Sequence, residues 1–358
     1  MRVCILGAGL SSLTLAKALV NQNIYVDIVA PKRVPTPDKS RTIGISKSNI
    51  EFFNSSIINI DKFSWKLKKI EIYTDNLGNE KLINFENKGD QLFSIINNFK
   101  LFQILEKNLS KNKFFKKVNQ QKNLNTSKKY NLIINTDFSS PITKQYFSQK
   151  IIKEYNSVAY TTVIHHKKIR NDIAIQIFTK MGPLAFLPVS EKETSIVYSI
   201  HNINNKKKVN INYLIDKYNN KYKIKKIENG KFFELKSFNL RSYYHNNILA
   251  FGDLLHRIHP LAGQGFNMTI RDIKVISDLI KKKISLGLSL DSSINREFEK
   301  TIRHNNFIFS NGIDLVHEFF NLERKSKNNV VSKSIQLLGK NPIINKMLTK
   351  IADKGITY

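Results

Sequence analysis

Short apolar runs, separated by turn residues and stretches of helical period, open the chain. Arg2 to Leu6 is one run. Gly7-Ala8-Gly9-Leu10-Ser11-Ser12 follows, and Leu13, Leu15, Ala16, Ala18 and Leu19 then recur on helical spacing. Ile24 to Val29 is a second run, closed by Pro31. Strand, turn, helix and strand form a βαβ unit of the length expected for a dinucleotide-binding domain. The pattern predicts a further helix from Phe93 to Leu109, carrying Leu101, Ile104, Leu105 and Leu109. A polar, Lys- and Asn-rich surface connection is predicted from Lys111 to Lys129, then a buried strand from Tyr130 to Ile134 that ends at Asp137.

Between Ala159 and Phe238 the pattern changes to alternating and β-rich runs, among them Tyr160 to Ile164, Ile173 to Phe178 and Thr194 to Ile200. This predicts a mainly antiparallel sheet inserted into the α/β frame. The basic segment Asn204 to Lys208 reads as a loop at its edge. A strand from Ile248 to Phe251 runs into Gly252-Asp253, and Gly265 to Ile280 has helical period. From Ser292 onward the chain is helical in period, with breaks expected at Gly312, Gly339 and Pro342.

Composition adds bounds. With 358 residues and 41% hydrophobic content the chain can bury a substantial core, enough for two interleaved domains. No apolar run reaches the roughly 18 residues that span a bilayer, and the start MRVCILGAG lacks a basic leader, so cytoplasmic residence is expected. The single cysteine, Cys4, lies in an apolar run, where a metal or redox role is not expected. The net charge of +30, from 58 Lys and Arg against 28 Asp and Glu, favours contact with a polyanion such as an anionic membrane face. The excess is mostly Lys in a chain rich in Asn and Ile, residues that share A- and T-rich codons, so drift on a solvated surface is an equal explanation. No zinc-knuckle or RNP-type motif accompanies the charge, and no nucleic-acid partner is expected. If the charge has a function, Lys206-Lys207-Lys208 and Lys281-Lys282-Lys283 are its candidate anchors.

A glycine turn between strand and helix lets the backbone approach a pyrophosphate and aims the helix's free N–H groups at it. Gly7 and Gly9 meet that need. Ser12 stands where G-x-G-x-x-G has its third glycine, which loosens helix–strand packing without removing the phosphate site. At the end of the second strand, Val29-Ala30-Pro31 replaces the acid that normally receives adenosine ribose hydroxyls, an argument against an ordinary site. The most informative segment runs Ala250-Phe251-Gly252-Asp253-Leu254-Leu255-His256-Arg257-Ile258-His259-Pro260-Leu261-Ala262-Gly263-Gln264-Gly265-Phe266-Asn267, continuing to Arg271-Asp272. A strand delivers a carboxylate, and a Pro/Gly-rich loop then opens a helix. Asp253 suits the hydroxyls of a ribityl chain, and the N–H groups from Gly263 to Phe266 suit negative charge. His256 and His259 have a two-histidine metal spacing, but Pro260 interrupts the helix such a site needs and no third ligand presents itself, so no metal is expected. His165 and His166 read as surface residues on opposite faces of a strand end. No nucleophile elbow is present.

The segment around Asp253 resembles the second FAD motif of the para-hydroxybenzoate hydroxylase superfamily, Gly-Asp-Ala-Ala-His, then Pro, then Gly-x-Gly-x-Asn. In its form His-Pro-x-Ala-Gly-Gln-Gly-Phe-Asn it is closer still to the FAD-dependent aromatic hydroxylases of ubiquinone biosynthesis. Arg41-Thr42-Ile43-Gly44-Ile45-Ser46 is similar to that family's arginine loop, and Asn98 to Leu105, with Gln103, to the helix that places a Gln or Arg near the cofactor. Phe178 to Pro188 resembles the family's substrate-domain strand, and Asn311 to Phe320 and Ser334 to Gly355 its C-terminal helices. The chain departs from the family at the middle motif, normally Ala-Asp-Gly, which here reads Thr136-Asp137-Phe138.

The resemblance implies a Rossmann-like FAD domain over 1–64, 86–150 and 240–290. It further implies an inserted, mainly antiparallel β substrate domain over 65–85 and 151–239, and a helical region over 291–358. It implies FAD held by Gly7, Gly9, Leu10, Ser11, Arg41, Gln103, Asp253, Gly263, Gln264, Gly265, Phe266 and Asn267, with His259 and Pro260 nearest the reacting face. The implied activity is hydroxylation of a polyprenylated phenol with NAD(P)H and dioxygen, peripheral on the inner membrane and within a ubiquinone-biosynthesis complex. A non-catalytic flavin- or lipid-binding subunit of such an assembly is the alternative, favoured by the altered middle motif.

Overall fold

The computed structural model describes residues 1–31, 37–78, 80–86, 91–118, 129–201, 210–258, 263–326 and 329–355. Its helices are α1 (Leu10–Val20), α2 (Lys47–Phe52), α3 (Asn98–Leu109), α4 (Pro141–Tyr146), α5 (Ile211–Tyr218), α6 (Gln264–Ser285), α7 (Ser292–Ser326), α8 (Val330–Lys340) and α9 (Pro342–Lys354).

Strands from the N-terminal third join later ones between positions 132 and 250 in a six-stranded sheet. Its order is Tyr244–His245, Ile248–Ala250, Leu132–Asn135, Arg2–Leu6, Tyr25–Val29 and Phe115–Val118. All pairs are parallel except the first. Strands covered on both faces need apolar side chains in both directions, which is why these segments read as continuous runs rather than alternations. Leu13, Leu15 and Leu19 of α1, Leu101 and Leu105 of α3, and Ile270, Ile273 and Ile276 of α6 close one core over this sheet.

Two segments differ from the sequence reading. Phe93–Asn97 is a strand, and the helix starts only at Asn98, because the Asn97 side chain accepts from Lys100 N–H and caps it. Within the expected connection, Phe115–Val118 adds an edge strand beside Tyr25–Val29. Lys116 and Lys117 give it the charged character that protects a sheet edge from further pairing.

Strands from both parts of the sequence build the second sheet. Its order is His256–Arg257, Lys231–Leu240, Lys150–His166, Glu193–His201, Gly182–Pro188, Ile173–Thr179, Lys69–Thr74 and Lys81–Glu86, with Ile224–Ile227 also on Lys150–His166. It is antiparallel throughout except where Ile173–Thr179 runs parallel to Lys69–Thr74. Ile211 and Ile215 of α5 pack into the cluster around Tyr198 on it. A small sheet of Thr42–Ser46, Phe93–Asn97 and Trp65–Leu67 lies apart from both in strand order.

His165 lies between Glu228 and Glu193 at the surface, but His166 is a buried residue, bonded to Thr194 Oγ1 at 3.0 Å and packed on Tyr222. Strand alternation places the two on opposite faces; the second face is covered by the Tyr222 segment, which the sequence pattern did not show. Helix α7 runs unbroken through Gly312, since a helical glycine costs only about 1 kcal/mol. Gly339 lies inside α8, pressed against Ile83, while Pro342 does open a new helix. Among the described residues no helix is long and apolar enough to cross a membrane, and no group of His, Cys, Asp and Glu could hold a metal ion. Asn204 to Lys208 lies outside the described residues.

Candidate cofactor site

Three loops meet at the carboxyl ends of the parallel strands. The first is Gly7–Ser12. Gly7 has φ +112, and a Cβ there would overlap Thr136 Oγ1, so the backbone turns tightly under the strand end Leu132–Asn135. Ser12 fills the place of the motif's third glycine productively: its Oγ lies 2.7 Å from Thr136 Oγ1, which in turn donates to Leu6 O. Gly9 is the N-cap of α1 with no side-chain cap bond, and a Cβ built on it would meet nothing within 4 Å. Gly9 thus fronts open space, at the positive end of the α1 dipole, and no hydrogen bond among the described residues takes the first-turn amides of Leu10, Ser11 and Ser12.

The second loop is Gly252-Asp253-Leu254. Gly252 has φ +63 and sits so close to α1 that a Cβ would lie 2.8 Å from Ser11 Cβ. This contact brings the exposed Asp253 beside the N-terminal turn of α1. The strand before it is fixed by Phe251 N–H donating to Asn135 O at 2.9 Å.

The third loop enters α6. Gly263 is its left-handed N-cap, φ +64, without a side-chain cap bond, and lies over Gly44 of the arginine loop. Asn267 is fully buried. Its Nδ2 donates to Gly44 O (2.8 Å) and Gly263 O (3.1 Å), and its Oδ1 accepts from Ser46 N–H (2.9 Å) and Asn49 Nδ2 (2.8 Å). Both donors and both lone pairs are thus taken within the protein. Gln264 is buried, donates to Ala352 O of α9, and leaves its Oε1 without a hydrogen-bond partner. Gly265 and Phe266 are partly buried in the first turn.

Arg41 is exposed, its guanidinium 5.1 Å over the Phe233 ring, and its carbonyl receives Asn98 N–H at the start of α3. Gln103 is exposed on the second turn of α3. His259 and Pro260 lie outside the described residues. Ala30 packs on the main core, and the strand's own acid, Asp27, is buried and accepts from Tyr130 OH at 2.9 Å. Asp137 accepts from Ser139 N–H and Oγ at 2.8 and 2.7 Å, and Phe138 packs edge-on against Phe238.

The sequence reading missed one pair behind the site. His256 Nε2 lies 2.6 Å from Asp272 Oδ2, both buried, and Asp272 also accepts from Asn306. It ties the Asp253 turn to the body of α6 across the loop between them. The His and the Asp stand sixteen residues apart in the one segment, but no periodicity relates a strand position to a helix position.

No protein-family model matches the chain. It is 29% identical over 157 residues to 3-demethoxyubiquinol 3-hydroxylase of Escherichia coli, covering 42% of this chain and 40% of that protein. It is 22% identical over 232 residues to the mitochondrial ubiquinone biosynthesis monooxygenase COQ6 of Danio rerio, covering 53% and 48%. The matched stretches thus span about half or less of these relatives' lengths. Among solved structures, p-nitrophenol 4-monooxygenase PnpA of Pseudomonas putida superposes with TM-score 0.79 at 10% identity, over 99% of this chain and 98% of that one. A variant of Klebsiella pneumoniae HpxO complexed with FAD superposes with TM-score 0.74 at 11% identity, over 99% of each chain. The fold is that of FAD-dependent aromatic monooxygenases, and in sequence the chain is similar to ubiquinone-biosynthesis hydroxylases.

Proposed function

We propose that the chain is a FAD-dependent monooxygenase that hydroxylates a polyprenylated phenol in ubiquinone biosynthesis, with NAD(P)H as reductant and dioxygen as co-substrate. The observation that carries this reading is the seat of Gly252 on Ser11, which sets a free carboxylate beside an uncapped helix N-terminus with open space over Gly9. A dinucleotide with a polyol arm needs that pair of features: amides for its phosphates and an acceptor for its hydroxyls.

In this reading Gly7, Gly9, Leu10 and Ser11 receive the pyrophosphate, Arg41 and Gln103 reach phosphate and ribityl groups, and Asp253 accepts ribityl hydroxyls. The amides from Gly263 to Phe266 face the ring system, with Gln264 offering its unpartnered Oε1 nearby. Asn267 holds the third loop against the arginine loop. His259 and Pro260 are assigned to the reacting face, without a proton-transfer role. Bound flavin supplies the redox chemistry that delivers one oxygen atom of dioxygen to the ring; the protein orients it and excludes water. The FAD part comprises 1–64, 86–150 and 240–290, the substrate part 65–85 and 151–239, and the helical region 291–358; the two larger sheets follow this division in the main, while Trp65–Leu67 pairs with Phe93–Asn97 and His256–Arg257 with Lys231–Leu240 across it. A prenylated substrate resides in a bilayer, toward whose anionic face a chain of net charge +30 is drawn.

The purified protein is expected to be yellow, with flavin absorbance, and to oxidise NADH or NADPH faster when a prenylated phenol is added, yielding a product one oxygen heavier. Colourless protein that takes up no added FAD overturns the reading. A second reading, a flavin- or lipid-binding subunit of the assembly without turnover, is favoured by Phe138 at the middle motif's glycine position and by the Asp137 carboxylate being taken up by Ser139. Retained flavin with no phenol-stimulated oxidation identifies it.

A further inference from the structure

The inner faces of α7 and α8 are anchored. Phe320 of α7 stacks on Phe178, and Ile335 of α8 joins the same cluster with Leu82 and Ile83. The outer faces carry apolar side chains instead. Leu315 and Leu322 on α7, Leu337 and Leu338 on α8, and Ile343 and Met347 on α9 are 50–79% exposed. Nine of the 21 exposed large hydrophobic side chains among the described residues fall between positions 315 and 347, under a tenth of the chain, so exposed apolar surface is concentrated on these three successively packed helices rather than scattered evenly.

Charge decides what covers it. From 330 to 354 there are five lysines and one aspartate, a net 5 − 1 = +4. That aspartate, Asp353, already accepts from Ser48 N–H. On α7, Asp314 bonds Tyr155, Glu318 pairs with Lys153, and Glu323 bonds Ser332. Lys333, Lys346 and Lys350 are exposed, with no carboxylate in ion-pair range among the described residues. Lys340, Lys346 and Lys350 also rim a cleft of about 760 Å³ between α8–α9 and the strand Lys81–Glu86. The cores of protein–protein interfaces are depleted of lysine, whereas helices that lie in a membrane interface combine an apolar face with lysines.

We propose that the outer face of α7–α9 docks on an anionic lipid bilayer, its apolar side chains entering the headgroup boundary and its lysines meeting lipid phosphates. It supplies the membrane contact that the proposed use of a bilayer-resident substrate requires, and so rests on that reading for its purpose but not for its test. In flotation assays at physiological salt, the full chain is expected to bind vesicles of phosphatidylcholine with phosphatidylglycerol at least about tenfold better than phosphatidylcholine alone. The double variants Leu337→Glu/Leu338→Glu and Ile343→Glu/Met347→Glu, and separately Lys346→Glu/Lys350→Glu, should each weaken that binding roughly tenfold or more. Melting temperature and flavin content should stay those of the parent, because the altered side chains are exposed. Lys281→Glu/Lys282→Glu on α6, in a segment that the sequence alone offered as an anchor, should on this proposal float as the parent does. The proposal is overturned if the parent stays in the aqueous fraction, if the apolar variants float like the parent, or if the parent is a dimer that those variants dissociate. A colourless chain that floats keeps this inference while removing the flavin reading; a yellow chain that does not float does the reverse.

Discussion

Gly252 and Ser11 touch so closely that only a glycine fits: a Cβ on Gly252 would stand 2.8 Å from Ser11 Cβ, and its φ of +63 is unfavourable for other residues. Gly252→Ala is therefore expected to lower stability by about 1–3 kcal/mol and push the Asp253 turn away from α1. Thermal melting measures the first effect and bound flavin per chain the second. Unchanged values for both would mean that the two loops are not mechanically joined.

The two glycines of the first loop should separate folding from binding. Gly7→Ala meets Thr136 Oγ1 at a φ of +112, and should destabilise the whole sheet end by about 1–3 kcal/mol. Gly9→Ala meets no protein atom within 4 Å and costs only the N-cap preference, about 1 kcal/mol. It nevertheless fills the space assigned to the pyrophosphate. A melt close to the parent's with lost flavin is the expected signature.

Asp253→Ala removes the acceptor without disturbing a buried contact, because the side chain is exposed. Leaving ribityl hydroxyls unpaired at about 1.5–3 kcal/mol corresponds to FAD binding roughly ten- to hundredfold weaker, readable by fluorescence titration. Parent-like affinity would remove Asp253 from the assigned seat.

Asp38 links the segment before Arg41 to the second sheet: Lys231 Nζ lies 2.7 Å from its carboxylate. Burial pushes its pKa up, but the bonds from Lys231 and Ser40 outweigh this and bring it down to about 2. A depressed carboxylate stabilises the fold above its unfolded pKa of about 4, and that contribution is lost as pH falls from about 4 to 2. Lys231 is 67% exposed, so screening limits the pair to about 0.5–1 kcal/mol. Lys231→Met should flatten the decline of melting temperature with acid pH over that window; an identical slope would show that the pair contributes nothing.

Cys4 is buried beside Asp27, and burial, with the carboxylate adding to it, pushes its thiol pKa up to about 12. With almost no thiolate near neutrality, a thiol reagent should not label the native chain. Labelling should appear only with global unfolding, at a rate that follows denaturant. Rapid labelling of native protein would contradict the burial of the first strand.

The backbone geometry of the candidate loops was legible, because glycine reveals it. Gly7, Gly252 and Gly263 each occupy positive φ at the loop they were read into. The four inner strands of the main sheet were equally plain, being covered on both faces, whereas the charged edge strand Phe115–Val118 read as a connection. What the sequence hid were relationships between elements. Asn267 reads as a cofactor-facing residue, yet its bonding groups hold Gly44, Ser46, Asn49 and Gly263. Phe93–Asn97 reads as the first turn of a helix, because three buried apolar residues in five fit either period and only the Asn97 cap separates them. The apolar outer face of α7–α9 was invisible for a related reason: its residues carry an amphipathic repeat like any other, and only the fold shows which side of each helix was already occupied.

Helix α9 has a consequence for the order of events during synthesis. Its last turn backs the loops of the proposed site: Asp353 O accepts from Ser46 and Ser48 hydroxyls, and Ala352 O from Gln264. The strand Thr42–Ser46 leaves the ribosome some three hundred residues before those carbonyls exist, which at about 5–20 residues per second is on the order of tens of seconds. Throughout that interval the loop lacks this support, so the proposed site is complete only after α9 has been made and has docked.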